Sequence, residues 1–501
     1  MKKIVISRLW LYRYRFVIGY VLLGLAYIGL LFGLPLIAQT GLSDAEMQSA
    51  TNSYYLERSG IFNGDVIDLP YRLIQKVSIM FLGLSSYSVK LPSVLMGLLL
   101  GLMLILLLNR WFKSNVSLLA SCLIVLSTPF LFLAGSGTPL IMVVFWPVLL
   151  LWLGSKIQGE KRPKPLYSFM FAITLMFAIF TPYMIYFALF CVLFVAFQPH
   201  LRFIVKDLPK LPLLVVGLII LGGFIILGVS IANQPETIAR LLAAPSFSFE
   251  QFISNIGRGI APLFSWHNST EGVFLSPLIG LPVLALALIG LFSTTKGFFA
   301  SRNSIATLLL VFGLIITGFN PESVVFLILP FSILIAHGLK YLLEKWYGLF
   351  PENPYARISA LLPLTLLFSI MILPSLLQYI YGYRYNPNVA NQFSHNIEII
   401  KSHLKNGSLL VHDKYDFYKI IEDSSDLQIT DSFETGNSIA VLGRLEQVPQ
   451  EYTLTQIITS PMRDNSDIIY IYSVKGEQNG TENGPNEAAQ PATESSEGAQ
   501  E

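Results

Sequence analysis

Between residues 16 and 376 the chain passes through about eleven apolar stretches, each near the length of about 20 residues that a helix needs to cross a bilayer. They lie near 16–38, 89–108, 116–134, 139–154, 166–180, 183–197, 212–232, 276–294, 304–318, 324–338 and 358–376. Lipid offers the backbone no hydrogen bonds, so such stretches must fold as helices packed together. Composition agrees, with 53% of the 501 residues hydrophobic and only 13% charged, where a soluble domain carries about 25% charge. The sequence predicts an all-α polytopic membrane bundle over 1–376, with long connections at 39–88 and 233–275. A small α/β domain over 377–475 and a disordered acidic tail over 476–501 follow.

The run 166–197 is too long for one span and breaks at Thr181-Pro182-Tyr183, where proline removes a backbone donor. The first run follows basic residues, as in a signal peptide. Its length and the lack of a small-residue cleavage site make it a retained helix. Cys122 and Cys191 both fall inside spans and give neither a disulfide framework nor metal-ligand spacing.

Basic residues set the expected orientation. Lys2, Lys3, Arg8, Arg13 and Arg15 precede the first span; Arg110 and Lys113, then Lys156, Lys161, Arg162 and Lys164, then Arg202, Lys206 and Lys210 occupy alternate connections. Lys296, Arg302, Lys340, Lys345 and Arg357 continue the pattern, whereas 135–138, 181–183 and 319–323 contain no Lys or Arg. The positive-inside rule puts the N-terminus in the cytoplasm of a multi-pass protein of the cytoplasmic membrane. An odd number of spans then puts the C-terminal domain outside, with both long connections on that outer face.

The first of these begins Gly41-Leu42-Ser43-Asp44-Ala45-Glu46. Ser43 and Glu46 fit a capping box opening a helix through about Arg58, with Asp44 at its positive end. That is a complete structural account of both acids. The functional account starts from place: a carboxylate where a span meets the outer interface can deprotonate a hydroxyl or orient a metal ion. Pro70 then opens a second helix with Leu73, Ile74, Val77, Met80, Phe81 and Leu84 on one face, expected to lie in the interface plane. Arg72 and Lys76, on its other side with Gln75, either meet a lipid phosphate or snorkel as interfacial cations commonly do.

The acidic motif after the first span, the juxtamembrane helix, and Gly83-Leu84 followed by Lys90-Leu91-Pro92-Ser93 together resemble the GT-C glycosyltransferases. The nearest resemblance is to the family 39 and ArnT-like group of protein mannosyltransferases and aminoarabinose transferases. Leu126-Ser127-Thr128-Pro129 with Trp146 resembles their next helical pair, and Leu329-Pro330 with Ala336-His337-Gly338-Leu339 their late span. The resemblance implies transfer of a sugar, with inversion, from a polyprenyl-phosphate donor in the outer leaflet to a hydroxyl of a protein, lipid or glycan. Asp44 occupies the position of the family's first acid. The second acid of the family's pair is Ala45 here, with Glu46 one place later. Gly135-Ser136-Gly137-Thr138-Pro139 has no acid where many relatives have one, and Pro321-Glu322-Ser323 lacks their basic residue. A divalent metal is compatible with the family, but this motif gives it no support. The candidate catalytic residues are Asp44 and Glu46, and the candidate substrate-binding residues Arg72, Lys76 and Arg258.

Arg258, in the second long connection, lies between Gly257 and Gly259, which would let the backbone approach an anionic group; an interfacial anchor is the other reading. Arg240, Glu250 and Glu271 share that connection. There Trp266 reads as an interface aromatic, and His267 as a lone histidine. In the C-terminal part, Ser408–Val411, Ser438–Leu442 and Ile468–Tyr472 are strand-length, and 389–405 shows helical spacing of Val389, Phe393, Ile397, Ile400 and Leu404. His403 and His412 there have no informative spacing.

The chain has no Walker loop, nucleophile elbow or HExxH. Few ionisable residues fall within the spans, which argues against a coupled transporter. The expected partners are a polyprenyl-phosphate-linked sugar and membrane lipid, not nucleic acid. The alternative function is a non-catalytic GT-C-like scaffold of cell-envelope assembly.

Overall fold

The computed structural model describes residues 10–38, 41–57, 66–159, 165–206, 210–242, 248–264, 279–297, 300–349 and 361–382. In the C-terminal part it describes 392–393, 395, 397–403, 408–411, 415–422, 428–430, 439–442, 448–458 and 468–474. Lys2, Lys3, Arg8, Trp266, His267, Glu271, His412 and the expected tail 476–501 lie outside these residues.

Each expected span contains a helix among its described residues, with turns or 3₁₀ segments at several ends. Among the described residues, six segments are long and apolar enough to cross a membrane, at Arg13–Gly33, Ser86–Trp111, Pro139–Gln158, Pro212–Asn233, Ser301–Phe319 and Pro321–Gly348. Four more apolar helices are shorter: Pro165–Ala178, Met184–Phe197, Leu281–Thr295 and Leu366–Tyr381. The stretch near 116–134 is a pair, Ser114–Val125 and Thr128–Gly135, bent by 60°. The bend falls at Ser127-Thr128-Pro129, where Ser127 has extended backbone and Pro129 occupies the first turn of the next helix.

The helices are α1 (Trp10–Ala38), α2 (Asp44–Tyr54), α3 (Leu69–Leu82), α4 (Ser86–Trp111), α5 (Ser114–Val125) and α6 (Thr128–Gly135). Then come α7 (Met142–Gly159), α8 (Pro165–Ala178), α9 (Met184–Phe197), α10 (Pro199–Lys206), α11 (Lys210–Asn233) and α12 (Glu236–Leu242). The bundle continues through α13 (Phe249–Phe264), α14 (Leu281–Thr295), α15 (Ser301–Phe319), α16 (Ile328–Leu349) and α17 (Leu361–Leu377). The connection expected at 233–275 thus contains two helices, α12 and α13. The strongly amphipathic 249–264 segment can bury an apolar stripe against α15, which a loop reading overlooks.

The bundle has no hydrophobic driving force in lipid and relies on close packing. Gly290 of α14 and Gly338 of α16 show how: a methyl on either would run into the facing backbone, at Leu334 and Leu286 respectively. Apolar side chains on α11, including Leu214, Leu218, Leu221 and Ile225, are exposed, as a lipid-facing surface requires.

The C-terminal domain contains α18 (Ile397–His403), α19 (Tyr415–Glu422) and a five-stranded sheet in the order β2-β1-β3-β5-β4. Its strands are β1 (Ser408–Leu410), β2 (Gln428–Thr430), β3 (Ile439–Leu442), β4 (Tyr452–Ile458) and β5 (Ile469–Val474). β1 runs parallel to β2 and β3, with Leu409 opposite Ile429 and Ala440. β5 is antiparallel to both β3 and β4. The helix expected over 389–405 is shorter, because His395 is in extended backbone and exchanges hydrogen bonds with Leu42. Phe417, Ile420 and Ile421 of α19 and Ile397 and Ile400 of α18 share one core with Met47 and Ala50 of α2 and Ile79 of α3. The domain and the first long connection therefore fold against each other.

Candidate active site

α2 starts as the sequence dictates. Ser43 Oγ accepts from the Glu46 amide at 3.3 Å and the Ser43 amide donates to Glu46 Oε2 at 3.0 Å, completing the capping box. The regular helix stops at Tyr54 and a 3₁₀ turn carries it to Glu57, so the expected end near Arg58 lies just outside the described residues.

Each helical residue turns the chain by about 100°, so residues two apart face nearly opposite ways. Asp44 and Glu46 do so. The Asp44 side chain is 76% exposed, and the Glu46 side chain has no exposure. Glu46 Oε1 accepts the Gly137 amide at 2.7 Å, and Lys90 Nζ lies 3.7 Å from its Oε2. Lys90 also donates to the Gly41 carbonyl at 2.9 Å and sits 5.2 Å from the centre of the Phe393 ring. Both Glu46 oxygens are therefore engaged in joining α2, α4 and the turn after α6. The two carboxylates cannot close on one divalent ion, so the site does not fit a metal held by the pair. Among the described residues no group of three His, Cys, Asp or Glu side chains could hold one.

A second buried polar centre lies one turn further along α2. Gln75 Oε1 accepts from Ser49 Oγ (2.8 Å) and Ser53 Oγ (2.7 Å), while its Nε2 donates to the carbonyls of Val89 (3.0 Å) and Gly137 (3.1 Å). All four hydrogen-bonding positions of the amide are used, as burial demands. Tyr71 and Ser93 extend the network at 2.7 Å, and Ser93 donates to the Thr138 carbonyl. Burial pushes the Tyr71 phenol well above its usual range.

α3 is amphipathic as expected, but its polar side faces the protein. Arg72, Gln75 and Lys76 are buried, whereas Leu73, Val77, Met80 and Phe81 are exposed. Arg72 and Lys76 therefore reach inward rather than toward open solvent. Arg258 is exposed on α13, which packs against α15 and the 3₁₀ turn Pro321–Leu327. The neighbouring glycines are explained differently from the expectation. Gly259 is where Thr317 of α15 presses on the helix backbone, while nothing crowds Gly257.

One contact has no sequence signal. His395, from the segment before α18, places Nε2 3.3 Å from Asp44 Oδ1. Its Nδ1 lies 3.4 Å from the Tyr418 hydroxyl of α19. The Leu42–His395 bridge fixes this approach, and a methyl at Gly41 would meet the Phe393 and His395 carbonyls at 2.6 and 2.7 Å. On the same side of the bundle, Asp68 and Tyr183 hold left-handed backbone (φ 54° and 67°). Such strain persists only where surroundings enforce it, here through the Asp68 amide on Phe180 and the Tyr183 amide on Leu241.

Residues 70–226 match the family model of dolichyl-phosphate-mannose-protein mannosyltransferases. No curated protein sequence matches the chain. Among solved structures, the apo oligosaccharyltransferase of Archaeoglobus fulgidus aligns with a TM-score of 0.54 and 12% identity, over 84% of this chain and 65% of that one. The same enzyme with an inhibitory peptide and a dolichol-phosphate aligns with a TM-score of 0.52 and 12% identity, again over 84% and 65%. The chain thus spans less than two thirds of that enzyme's length. ArnT from Cupriavidus metallidurans bound to undecaprenyl phosphate aligns over 92% of this chain and 99% of that one, with 14% identity and a TM-score of 0.45. Apolar helices, a small C-terminal sheet domain and the alignment with the archaeal oligosaccharyltransferase show the chain to be a multi-span membrane protein with the GT-C fold.

Proposed function

We propose that this protein transfers a sugar from a polyprenyl-phosphate donor to a hydroxyl acceptor on the outer face of the cytoplasmic membrane, with its N-terminus inside. The observation that carries the reading is Asp44, an exposed carboxylate at the start of α2 with a histidine from the C-terminal domain against it. In the reaction, Asp44 accepts the proton of the acceptor hydroxyl. The acceptor oxygen forms a bond to the anomeric carbon, and the bond from that carbon to the phosphate oxygen breaks with inversion. Polyprenyl phosphate leaves as the anion. His395 positions the carboxylate, and the carboxylic acid formed by proton capture passes its proton to solvent at the exposed edge. Glu46 holds the helix that presents Asp44. Arg258, and Arg72 and Lys76 after a side-chain rearrangement, supply positive charge for the phosphate. The family model's dolichyl-phosphate donor and the dolichol-phosphate bound to the archaeal oligosaccharyltransferase support the donor class.

A second reading is favoured by one observation, the burial of Arg72 and Lys76. With those cations turned inward, the protein would be a GT-C-like scaffold in envelope assembly. Sugar transfer from radiolabelled lipid-linked donors, assayed in membranes of wild type, Asp44→Asn and His395→Ala, separates the two. Loss of at least about a hundredfold in Asp44→Asn supports catalysis, in line with general base contributions. Equal transfer by wild type and Asp44→Asn removes the assignment, and no transfer from any donor favours the scaffold.

A further inference from the structure

At the opposite end of the bundle from Asp44 is a cavity of about 760 Å³, within the roughly 300–1,000 Å³ typical of ligand pockets. α4 separates the two places: it begins beside the first connection and ends at Arg110 and Trp111, which line the cavity. With 26 residues at about 1.5 Å each, this helix is roughly 39 Å long, the thickness of a bilayer with its headgroup layers. The cavity therefore opens to the other leaflet and lies outside the proposed transfer site.

Its lining has two parts. The wall is apolar, built from side chains such as Leu150, Phe171, Phe194 and Leu213. The rim carries Arg110, His200 and Arg302, and no acid lines the cavity among the described residues. Arg302 Nη1 donates to the Trp111 carbonyl at 2.6 Å, which fixes its guanidinium beside the end of α4. Arg110, His200 and Arg302 are exposed at this end of the bundle, so an anionic headgroup can reach all three while its chain follows the apolar wall. Beside the rim lies α10, whose sequence Pro-His-Leu-Arg-Phe-Ile-Val-Lys is strongly amphipathic, with Phe203 and the cations Arg202 and Lys206 exposed. A short basic amphipathic helix marks the level of an anionic headgroup layer.

We propose that this cavity binds one anionic phospholipid from the leaflet opposite Asp44, its phosphate at Arg110, His200 and Arg302 and an acyl chain along the apolar wall. A methyl group added at Gly154, on the wall, would meet nothing within 4 Å, so the space beside it is open to a chain. Bound lipid would tie the ends of α4, α7 and α15 together without entering the transfer reaction.

The test is native mass spectrometry of the full chain in neutral detergent, titrated with phosphatidylglycerol, phosphatidylcholine or glycerol 3-phosphate. Phosphatidylglycerol should bind in preference to phosphatidylcholine. Arg110→Gln and Arg302→Gln should each weaken it, by up to about fivefold per charge. Gly154→Leu should abolish retention by filling the wall while leaving the rim intact. Thermal melting without lipid should be the same for each variant as for wild type, separating lost binding from lost folding. Equal retention of both lipids, unchanged phosphatidylglycerol binding in all variants, or its displacement by glycerol 3-phosphate alone would overturn the proposal.

Discussion

The Gly137 amide donates to Glu46 Oε1 across 91 residues of sequence, at 2.7 Å and out of contact with solvent. Glu46 is thus the clasp between the first connection and the turn after α6, with Lys90 as its countercharge. Removing one partner of a buried ion pair leaves the other unpaired, which costs about 3–5 kcal/mol. Glu46→Ala should therefore lower the melting temperature and the yield of folded protein sharply. Lys90→Met with Glu46→Met should fare better than Glu46→Ala alone. A single variant that melts like wild type would deny the clasp.

Gly41 lies under two carbonyls of the C-terminal segment. Gly41→Ala leaves the bundle untouched but forces that segment away. We expect the C-terminal domain of this variant to be cut by protease at concentrations that spare wild type, with the bundle intact. Identical digestion patterns would show that the segment yields without undocking.

The exposed face of α3 faces lipid if the helix lies in the interface. Phe81→Trp should then emit at short wavelength and be quenched by brominated lipids. Tyr55, whose hydroxyl donates to the Asp416 carbonyl on the domain side, offers the contrast: Tyr55→Trp should be insensitive to them. Unquenched, red-shifted emission from position 81 would place α3 in water.

Close approach of α14 and α16 depends on glycine at two facing positions. Gly290→Leu drives a side chain into the Leu334 backbone and should destabilise by about 2 kcal/mol or more, since overpacking typically costs about 1–3 kcal/mol. Gly154→Leu, where space is open, should cost far less. Comparable melting of the two variants would contradict this packing account.

Lys401 Nζ donates to the Leu84 carbonyl at 2.7 Å. Partial burial lowers its pKa, with Glu398 acting in the opposite sense. The folded protein therefore binds fewer protons than the unfolded chain between the lowered value and the ordinary lysine range near about 10.4. Its contribution to docking improves as pH rises through that window and is least favourable below it. The melting difference between wild type and Lys401→Met should shift in favour of wild type from about pH 8 to about pH 10. A constant difference across that range would remove the lysine from the linkage.

Much of this was legible in the sequence, because lipid leaves the backbone few choices. Apolar length locates the helices that span the bundle, and Ser43 and Glu46 locate the start of α2. A helical face can be read from periodicity, but not which neighbour it meets, so the inward turn of Arg72 and Lys76 needed the structure. Arg258 reads as a loop cation because its flanking glycines look like loop residues, whereas Gly259 serves helix packing. His395 is invisible for a different reason. It pairs with a residue far away in the chain through an isolated bridge, and one-residue bridges have no periodicity.

That bridge has a consequence in time. The ribosome makes Leu42 and Asp44 roughly 350 residues before His395, which at about 5–20 residues per second is a delay of roughly 20–70 seconds. Throughout that interval the membrane-inserted part of each new molecule carries a first connection that lacks its partner. A polypeptide released early, or a domain slow to fold, would leave a bundle already in the bilayer with Asp44 unclamped. The contact between His395 and Asp44 can therefore form only in chains whose bundle has already been synthesised.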